Sequence, residues 1–330
     1  MKSVFVTGGA GYVGSHICRQ LAASGVTPIV LDNFTTGWKQ AVKFGPCIEV
    51  DILNREGIFA AFREHRPDAV IHLAALTSVE ESVAQPGKYE ACNVEGTLNI
   101  ADAMVQFRCP SIVFTSTCAV YGNAVGGAVT EDSVLNPNSP YAATKLKAEQ
   151  LLTRFSRQYK LSLTIFRYFN VAGCDVDAHI GESKKNPSNL IPVVLDCAIG
   201  NRASVKIFGT DWPTPDGTCI RDYVHATDVA KAHILGLQAL SQWEGGFECF
   251  NLGSSIGLSV RQIIKSCCKI TGSNFDIVEA ARRSGDIAQI TSDCTKAQNQ
   301  LGWHSYNSCI DQMISDSWKW LVSGGYTKDP

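Results

Sequence analysis

Through its first half the chain alternates short apolar runs with stretches whose apolar positions recur every three or four residues. Ser3–Thr7 reads as a strand. Val13, Ile17 and Leu21 then recur at helical spacing up to Gly25. Pro28–Leu31, Cys47–Val50, Ala69–Leu73, Ser111–Thr115 and Leu161–Phe166 are further predicted strands, and Arg55–His65, Tyr89–Phe107 and Pro140–Tyr159 are predicted helices. Strands apolar on both faces and interleaved with helices predict an α/β fold whose doubly wound parallel sheet is covered on both sides. After about Asn170 the pattern breaks up, and Gly, Pro, Asn and Asp become dense. This half reads as a smaller α+β domain closing over the sheet's carboxyl edge. The expected division is residues 1–170 and 171–330, with 224–240 returning to the first part.

Composition narrows the class. The chain has 330 residues, 45% hydrophobic and 18% charged, and a net charge of −2. Such a chain is globular, and its charge offers no footprint for nucleic acid or for an anionic membrane. No apolar run reaches the roughly 18–20 residues of a membrane-spanning helix. The first residues enter a strand and turn without a signal-like apolar region, so a cytoplasmic protein is expected. The 13 cysteines include no Cys-x-x-Cys pair and no zinc-type spacing. They read as small buried hydrophobes, and no metal is expected. His72 and His233 read as packed side chains rather than ligands.

Chemistry enters at the first turn. Gly8, Gly11 and Gly14 form Gly-x-x-Gly-x-x-Gly between the first strand and the first helix. The tight turn needs freedom from Cβ strain, and bare backbone can approach a pyrophosphate at the helix N-terminus. Asp32 ends the second strand, placed to accept hydrogen bonds from an adenosine ribose. Its charge would repel a 2′-phosphate, and the neighbouring Asn33, Phe34, Thr35 and Thr36 offer no Arg, so NAD is favoured over NADP. Asp51 and Ile52 could cover the adenine, although Asp51 reads equally well as a turn residue. Leu73, Ala74 and Ala75 leave room along the sheet edge.

Tyr141 and Lys145 are four apart near the start of a helix, so they share a face. A Lys ammonium near a phenol favours the phenolate and suits Tyr for acid–base work. Upstream, Thr115-Ser116-Thr117 ends a strand where hydroxyls face a ligand crevice.

Together these residues resemble the extended short-chain dehydrogenase/reductase superfamily, which implies a Rossmann sheet and a catalytic Tyr141, Lys145 and Thr117, with Ser116 as the neighbouring candidate for the hydroxyl. The second half contains Arg167-Tyr168-Phe169-Asn170, Asn189-Leu190-Ile191-Pro192, Phe208-Gly209, Arg221-Asp222-Tyr223-Val224-His225, Asn251-Leu252-Gly253, and Arg283 followed by Asp286. That order is similar to the UDP-glucose (UDP-galactose) 4-epimerase family. The resemblance implies inversion at C4 of a UDP-hexose through a 4-keto intermediate. It extends the cofactor-contacting set to Tyr12, Val13, Gly37, Thr77, Asn93, Ser116 and Phe169. For the substrate it implies Asn170, Asn189, Leu190, Lys206, Phe208, Arg221, Tyr223, Val260, Arg283, Asp286 and Ile290, besides Thr117 and Tyr141. Arg221 and Arg283 suit a pyrophosphate clamp. Ile290 would limit the hexose pocket and leave 2-N-acetyl sugars open. A homodimer through helices near 89–107 and 140–159 is implied as well. A 4,6-dehydratase would need an acid pair where Cys118 and Ala119 stand. The same fold also serves uronate 4-epimerases and non-catalytic NAD sensors, though a sensor has no need of Tyr141, Lys145 and Thr117 together.

Overall fold

The computed structural model describes residues 1–123, 128–184, 187–243, 245–283 and 285–326. The strands are β1 (Ser3–Thr7), β2 (Thr27–Asp32), β3 (Cys47–Glu49), β4 (Ala69–His72), β5 (Ser111–Thr117), β6 (Ala128–Val129), β7 (Ser162–Tyr168), β8 (Asn170–Ala172), β9 (Ser204–Phe208), β10 (Ile220–His225), β11 (Phe247–Leu252), β12 (Gly257–Ser259), β13 (Asp276–Ala280) and β14 (Gln289–Ser292). The α-helices are α1 (Tyr12–Ala23), α2 (Arg55–His65), α3 (Val79–Ala84), α4 (Pro86–Glu90), α5 (Gly96–Phe107), α6 (Pro140–Tyr159), α7 (Leu190–Ala198), α8 (Ala226–Ala239), α9 (Val260–Thr271), α10 (Thr295–Leu301) and α11 (Ile310–Val322).

Alternation within β1 sets the layering. Val4 and Val6 face one side, in a cluster with Ile17 and Leu21 of α1 and Val229 and Leu237 of α8. Phe5 faces the other, with Ile58 and Phe62 of α2, Ile100 and Met104 of α5, and Ala148 and Leu152 of α6. The sheet between them has the order β11-β7-β5-β4-β1-β2-β3, and every pairing is parallel. The order reverses beside β1, so the crevice between the carboxyl ends of β1 and β4 is the expected ligand position of a doubly wound sheet.

Three details depart from the sequence-based expectation. β5 and β7 run on to Thr117 and Tyr168, so the hydroxyl residues lie in the strand itself. The predicted helix at 89–107 starts at Pro86 and passes through one π-helical turn, Ala91–Glu95. The sheet also takes β11 from the second half, beside β7, since its inward Phe250 and Leu252 are wholly buried.

The second lobe has its own core, with Ile191 and Leu195 of α7, Ile263 and Ile264 of α9, and Met313 and Ile314 of α11. Its strands form a sheet ordered β12-β10-β14-β6, with β8 also paired to β10, and a separate β9–β13 pair. A small cluster of Val120, Tyr121, Val129, Phe169 and Ile290 lies where the lobes meet. Two cysteines, Cys47 and Cys309, are exposed, against the expectation of burial; all 13 are unpaired thiols.

Candidate active site

The glycine turn is shaped for a ligand. Gly8 has φ +71°, and a Cβ on Gly14 would stand 2.3 Å from the Gly8 carbonyl oxygen. The Tyr12 and Val13 amides open α1, whose N-cap Gly11 supplies no side chain to cover them. The buried Asp32 carboxylate accepts from the Ala10 amide at 3.0 Å and the Phe34 amide at 2.9 Å. It thereby ties the glycine turn to the loop after β2. In that loop Phe34 has φ +55°, the Thr35 amide donates to Asn33, and the loop runs on through Thr36 and Gly37. Asn33 donates to Asp51 at 2.8 Å, and Asp51 also accepts from the Leu53 amide. Asp51 therefore acts first as a turn residue, with Ile52 buried beside it. Tyr12 donates its phenol to the Gly173 carbonyl at 2.6 Å, linking α1 to the second lobe. Bare backbone at a helix N-terminus with an acid at the neighbouring strand end fits a dinucleotide whose ribose hydroxyls are free.

The sheet edge is held open by small residues. Thr7 Oγ1 accepts from the Leu73 and Ala74 amides, both at 3.2 Å, and contacts His72 at 2.6 Å. Ala75 is half-buried and Thr77 exposed on the same loop. Asn93, in the π-helical turn, is buried; its side-chain amide accepts from the Leu76 amide and donates to the Leu76 carbonyl and to Thr144. Thr144 in turn donates to the Tyr141 carbonyl. Asn93 therefore fixes the loop after β4 against the helix that carries Tyr141. His72 and His233 are packed, as expected, and burial drives them down to about 3 and about 4.

Tyr141 opens α6 behind the Ser139 cap and Pro140. The helix brings Lys145, 3% exposed, one turn below it. Thr117 ends β5 and accepts from the Ala119 amide at 3.2 Å. Burial pushes the Tyr141 phenol up to about 12, and a hydrogen bond with Thr117 offsets part of the rise. Burial lowers Lys145 to about 8 against the pull of Glu149, and its ammonium lies 4.3 Å from the Phe114 ring centre. Spacing alone predicts that Lys145 favours the phenolate. Desolvation outweighs the pull of Glu149 on Lys145 and of the Thr117 hydrogen bond on Tyr141, so burial dominates both groups.

Ser116 faces the other way from Thr117. Its hydroxyl donates to the Glu149 carboxylate, which Arg167 grips through Nε at 3.0 Å and Nη2 at 2.6 Å. Both charges are about 95% buried. Arg167 also donates to the Tyr121 hydroxyl, which donates to the Asn251 side chain, while the Asn251 backbone amide donates to Glu131. This network lies behind Tyr141 and Thr117 and joins α6 to β5, β7 and β11. Only alternation along β5 could have separated Ser116 from Thr117, and Glu149 carries no motif of its own.

The second lobe supplies the remaining residues. Arg283 lies 4.6 Å from the Phe208 ring centre and pairs with Asp286 at 3.0 Å. Arg221 donates to the Ile220 and Ile287 carbonyls, and pairs in register with Ile290 across β10 and β14. Asn170 donates to the Asp222 carbonyl. Asn189 caps α7 without using its side chain, leaving its amide available, and Leu190 begins the helix. Lys206 is exposed on β9 and Val260 begins α9. Tyr223 is 5% exposed within the second core. Phe169 and Ile290 share the cluster between the lobes. Asp222, the carboxylate beside Cys118, is consumed by Ser254, Ser255 and Ser292.

The fold is shared with known proteins. The NAD dependent epimerase/dehydratase family matches residues 4–253. The UDP-glucose 4-epimerase of Bacillus subtilis is 38% identical over 97% of both chains. That of Halalkalibacterium halodurans is 40% identical over 96% of this chain and 95% of its own. The crystal structure of UDP-glucose 4-epimerase from Brucella ovis in complex with NAD superposes with a TM-score of 0.93 at 38% identity, covering 97% of this chain and 98% of that one. The UDP-Glc/GlcNAc 4-epimerase of Campylobacter jejuni superposes at 0.86 with 34% identity, covering 98% and 100%. The chain belongs to the NAD dependent epimerase/dehydratase family, as an NAD-using enzyme of its UDP-glucose 4-epimerase group. Among the described residues no helix is long and apolar enough to cross a membrane.

Proposed function

We propose that this chain interconverts UDP-glucose and UDP-galactose by inverting C4 through a 4-keto sugar. The observation that carries the reading is Tyr141, Lys145 and Thr117 gathered at the carboxyl edge of a dinucleotide crevice, with Cys118 and Ala119 where a dehydratase needs carboxylates. NAD supplies reversible hydride uptake at C4 when bound. Tyr141 takes the proton of the 4-hydroxyl and gives it back. Thr117 holds the 4-oxygen, already being the hydrogen-bond partner of Tyr141. Burial makes the Tyr141 phenolate a strong base that forms only beside positive charge, and Lys145 is the chain's own source of it, with Glu149 sustaining its proton. Lys145 also holds the cofactor ribose in this reading, and Asn93 fixes the helix that carries the pair.

The nucleotide must be held firmly while the hexose turns over. Arg221 and Arg283 would clamp the pyrophosphate, Phe208 would offer its face to uracil, and Asn170 and Asn189 would add amide contacts. We assign NAD to residues 1–170 together with α8 and β11, and the nucleotide sugar to the rest of the second half. The isoleucine at 290 extends the proposed substrates to 2-N-acetyl sugars. We further propose a homodimer through the helices spanning 86–107 and 140–159. A cytoplasmic setting is supported by the 13 unpaired thiols.

Tyr141→Phe tests the assignment. Turnover of UDP-galactose should fall by roughly 10²–10⁴-fold, with bound NAD unchanged. A variant as active as the parent chain would remove Tyr141 from the chemistry.

A further inference from the structure

The loop after β2 is fastened from outside its own lobe. Trp38 ends that loop, and its backbone amide donates to the Ala10 carbonyl of the glycine turn at 3.0 Å. Its indole N–H donates to the Ser183 carbonyl, which belongs to the second half of the chain. Ser183 is in turn gripped from the C-terminal end. The Tyr326 amide donates to its hydroxyl at 3.2 Å, and Trp320 Nε1 reaches that hydroxyl at 3.3 Å and the Glu182 carbonyl at 2.9 Å. The rings close the arrangement. Tyr326 lies 4.7 Å from Trp320, edge to face, and 6.1 Å from Trp38. A second tie runs alongside, from Lys43 to the His179 carbonyl at 2.8 Å. Three aromatic side chains drawn from the ribose loop and the chain's C-terminal end therefore meet around one residue, Ser183.

We infer that Trp38, Ser183, Trp320 and Tyr326 form a clasp that governs how long the dinucleotide stays bound. The inference rests on the reading that residues 32–37 hold the cofactor's adenosine side. A ligand lying against this loop leaves only if the loop moves away from the glycine turn, and Trp38 is bonded both to that turn and to the opposite lobe. Release then requires the indole–Ser183 bond and the ring contacts to break with it. The clasp touches neither Tyr141 nor Thr117, so its residues are positioning residues. They affect retention and leave the chemical step alone. Asp32 determines which dinucleotide is preferred, whereas the clasp determines its residence time.

The test uses the full chain loaded with NAD. Trp38→Phe keeps a ring and deletes the N–H donor; Tyr326→Ala removes the ring from the C-terminal side. Tyr306→Ala is the control, since Tyr306 is 79% exposed in the same half of the chain. Bound NAD is followed after rapid dilution into buffer without NAD, by its absorbance in denatured, filtered samples. Both clasp variants should release NAD about fivefold faster than the parent chain, as expected for one lost hydrogen bond or ring contact at about 1 kcal/mol. The control should match the parent. Saturating NAD should return the turnover of both variants to the parent value. Parent-like retention in either variant overturns the clasp, as does turnover that saturating NAD fails to restore. If the parent chain proves inactive on UDP-galactose yet the variants still release NAD faster, the proposed reaction falls and the clasp stands.

Discussion

Position 290 holds an isoleucine, 4% exposed, packed with Val120, Tyr121, Val129 and Phe169 beside the end of β5. A tyrosine there would add a ring to a filled cluster, and in the proposed assignment that ring intrudes on the hexose pocket. Ile290→Tyr should lower kcat/KM for UDP-N-acetylgalactosamine by about 1–3 kcal/mol, roughly tenfold or more, while UDP-galactose loses little. Paired assays on the two sugars check this, and equal losses on both would remove Ile290 from the specificity of the site. Residue identity was legible here because the motifs carry it: Gly8, Gly14, Asp32, Tyr141 and Lys145 can all be named from spacing. Direction was less legible. Ser116 and Thr117 look alike in the sequence, but neighbouring residues of a strand face opposite sides. Thr117 meets Tyr141, and Ser116 is bonded to Glu149.

Helix α6 carries both the residues proposed for the chemistry, Tyr141 and Lys145, and their support, Glu149 one turn further on in the ion pair with Arg167. The pair joins the helix to β5 and β7, so its two charges act as one unit. Glu149→Met strands the Arg167 guanidinium in the core and should cost about 3–5 kcal/mol of stability. The double variant Glu149→Met, Arg167→Met removes both charges and should recover most of that loss. Denaturant midpoints of the three proteins decide it; a double variant no better than the single one would contradict the account. Elements with a strong period were legible to within a few residues, as with α2 and α6. β11 was not, because Glu248 and Asn251 interrupt its apolar pattern and its place is set by pairing with β7. The π-helical turn at 91–95 was also hidden, since no residue in Ala-Cys-Asn-Val-Glu marks it; the demand comes from Asn93, whose side-chain amide must reach the Leu76 backbone.

The two halves of the chain are joined by α8 packed on α1, by Tyr12 bonded to Gly173, and by the contacts around Ser183. Four histidines are buried across this body, and burial drives three of them far down: His16 and His233 to about 4 and His72 to about 3. The unfolded chain takes protons at these positions from about pH 6.5 downward, whereas the folded chain does not. Their contribution is complete above pH 6.5 and is lost as pH falls toward 4, at roughly 1.4 kcal/mol per pH unit for each group. The urea midpoint should therefore drop steeply between about pH 6.5 and about pH 5; a flat midpoint over that range would place these histidines in contact with water. The proposed clamp of Arg221 and Arg283 would reconcile the near-neutral charge of the whole chain with an anionic substrate without a general field. Inversion at C4 by a hydride that leaves and returns is probed with UDP-galactose deuterated at C4. The expected product is UDP-glucose that keeps deuterium at C4, with no 6-deoxy methyl signal in the proton NMR spectrum. Loss of the label to solvent, or the appearance of that methyl signal, would contradict it.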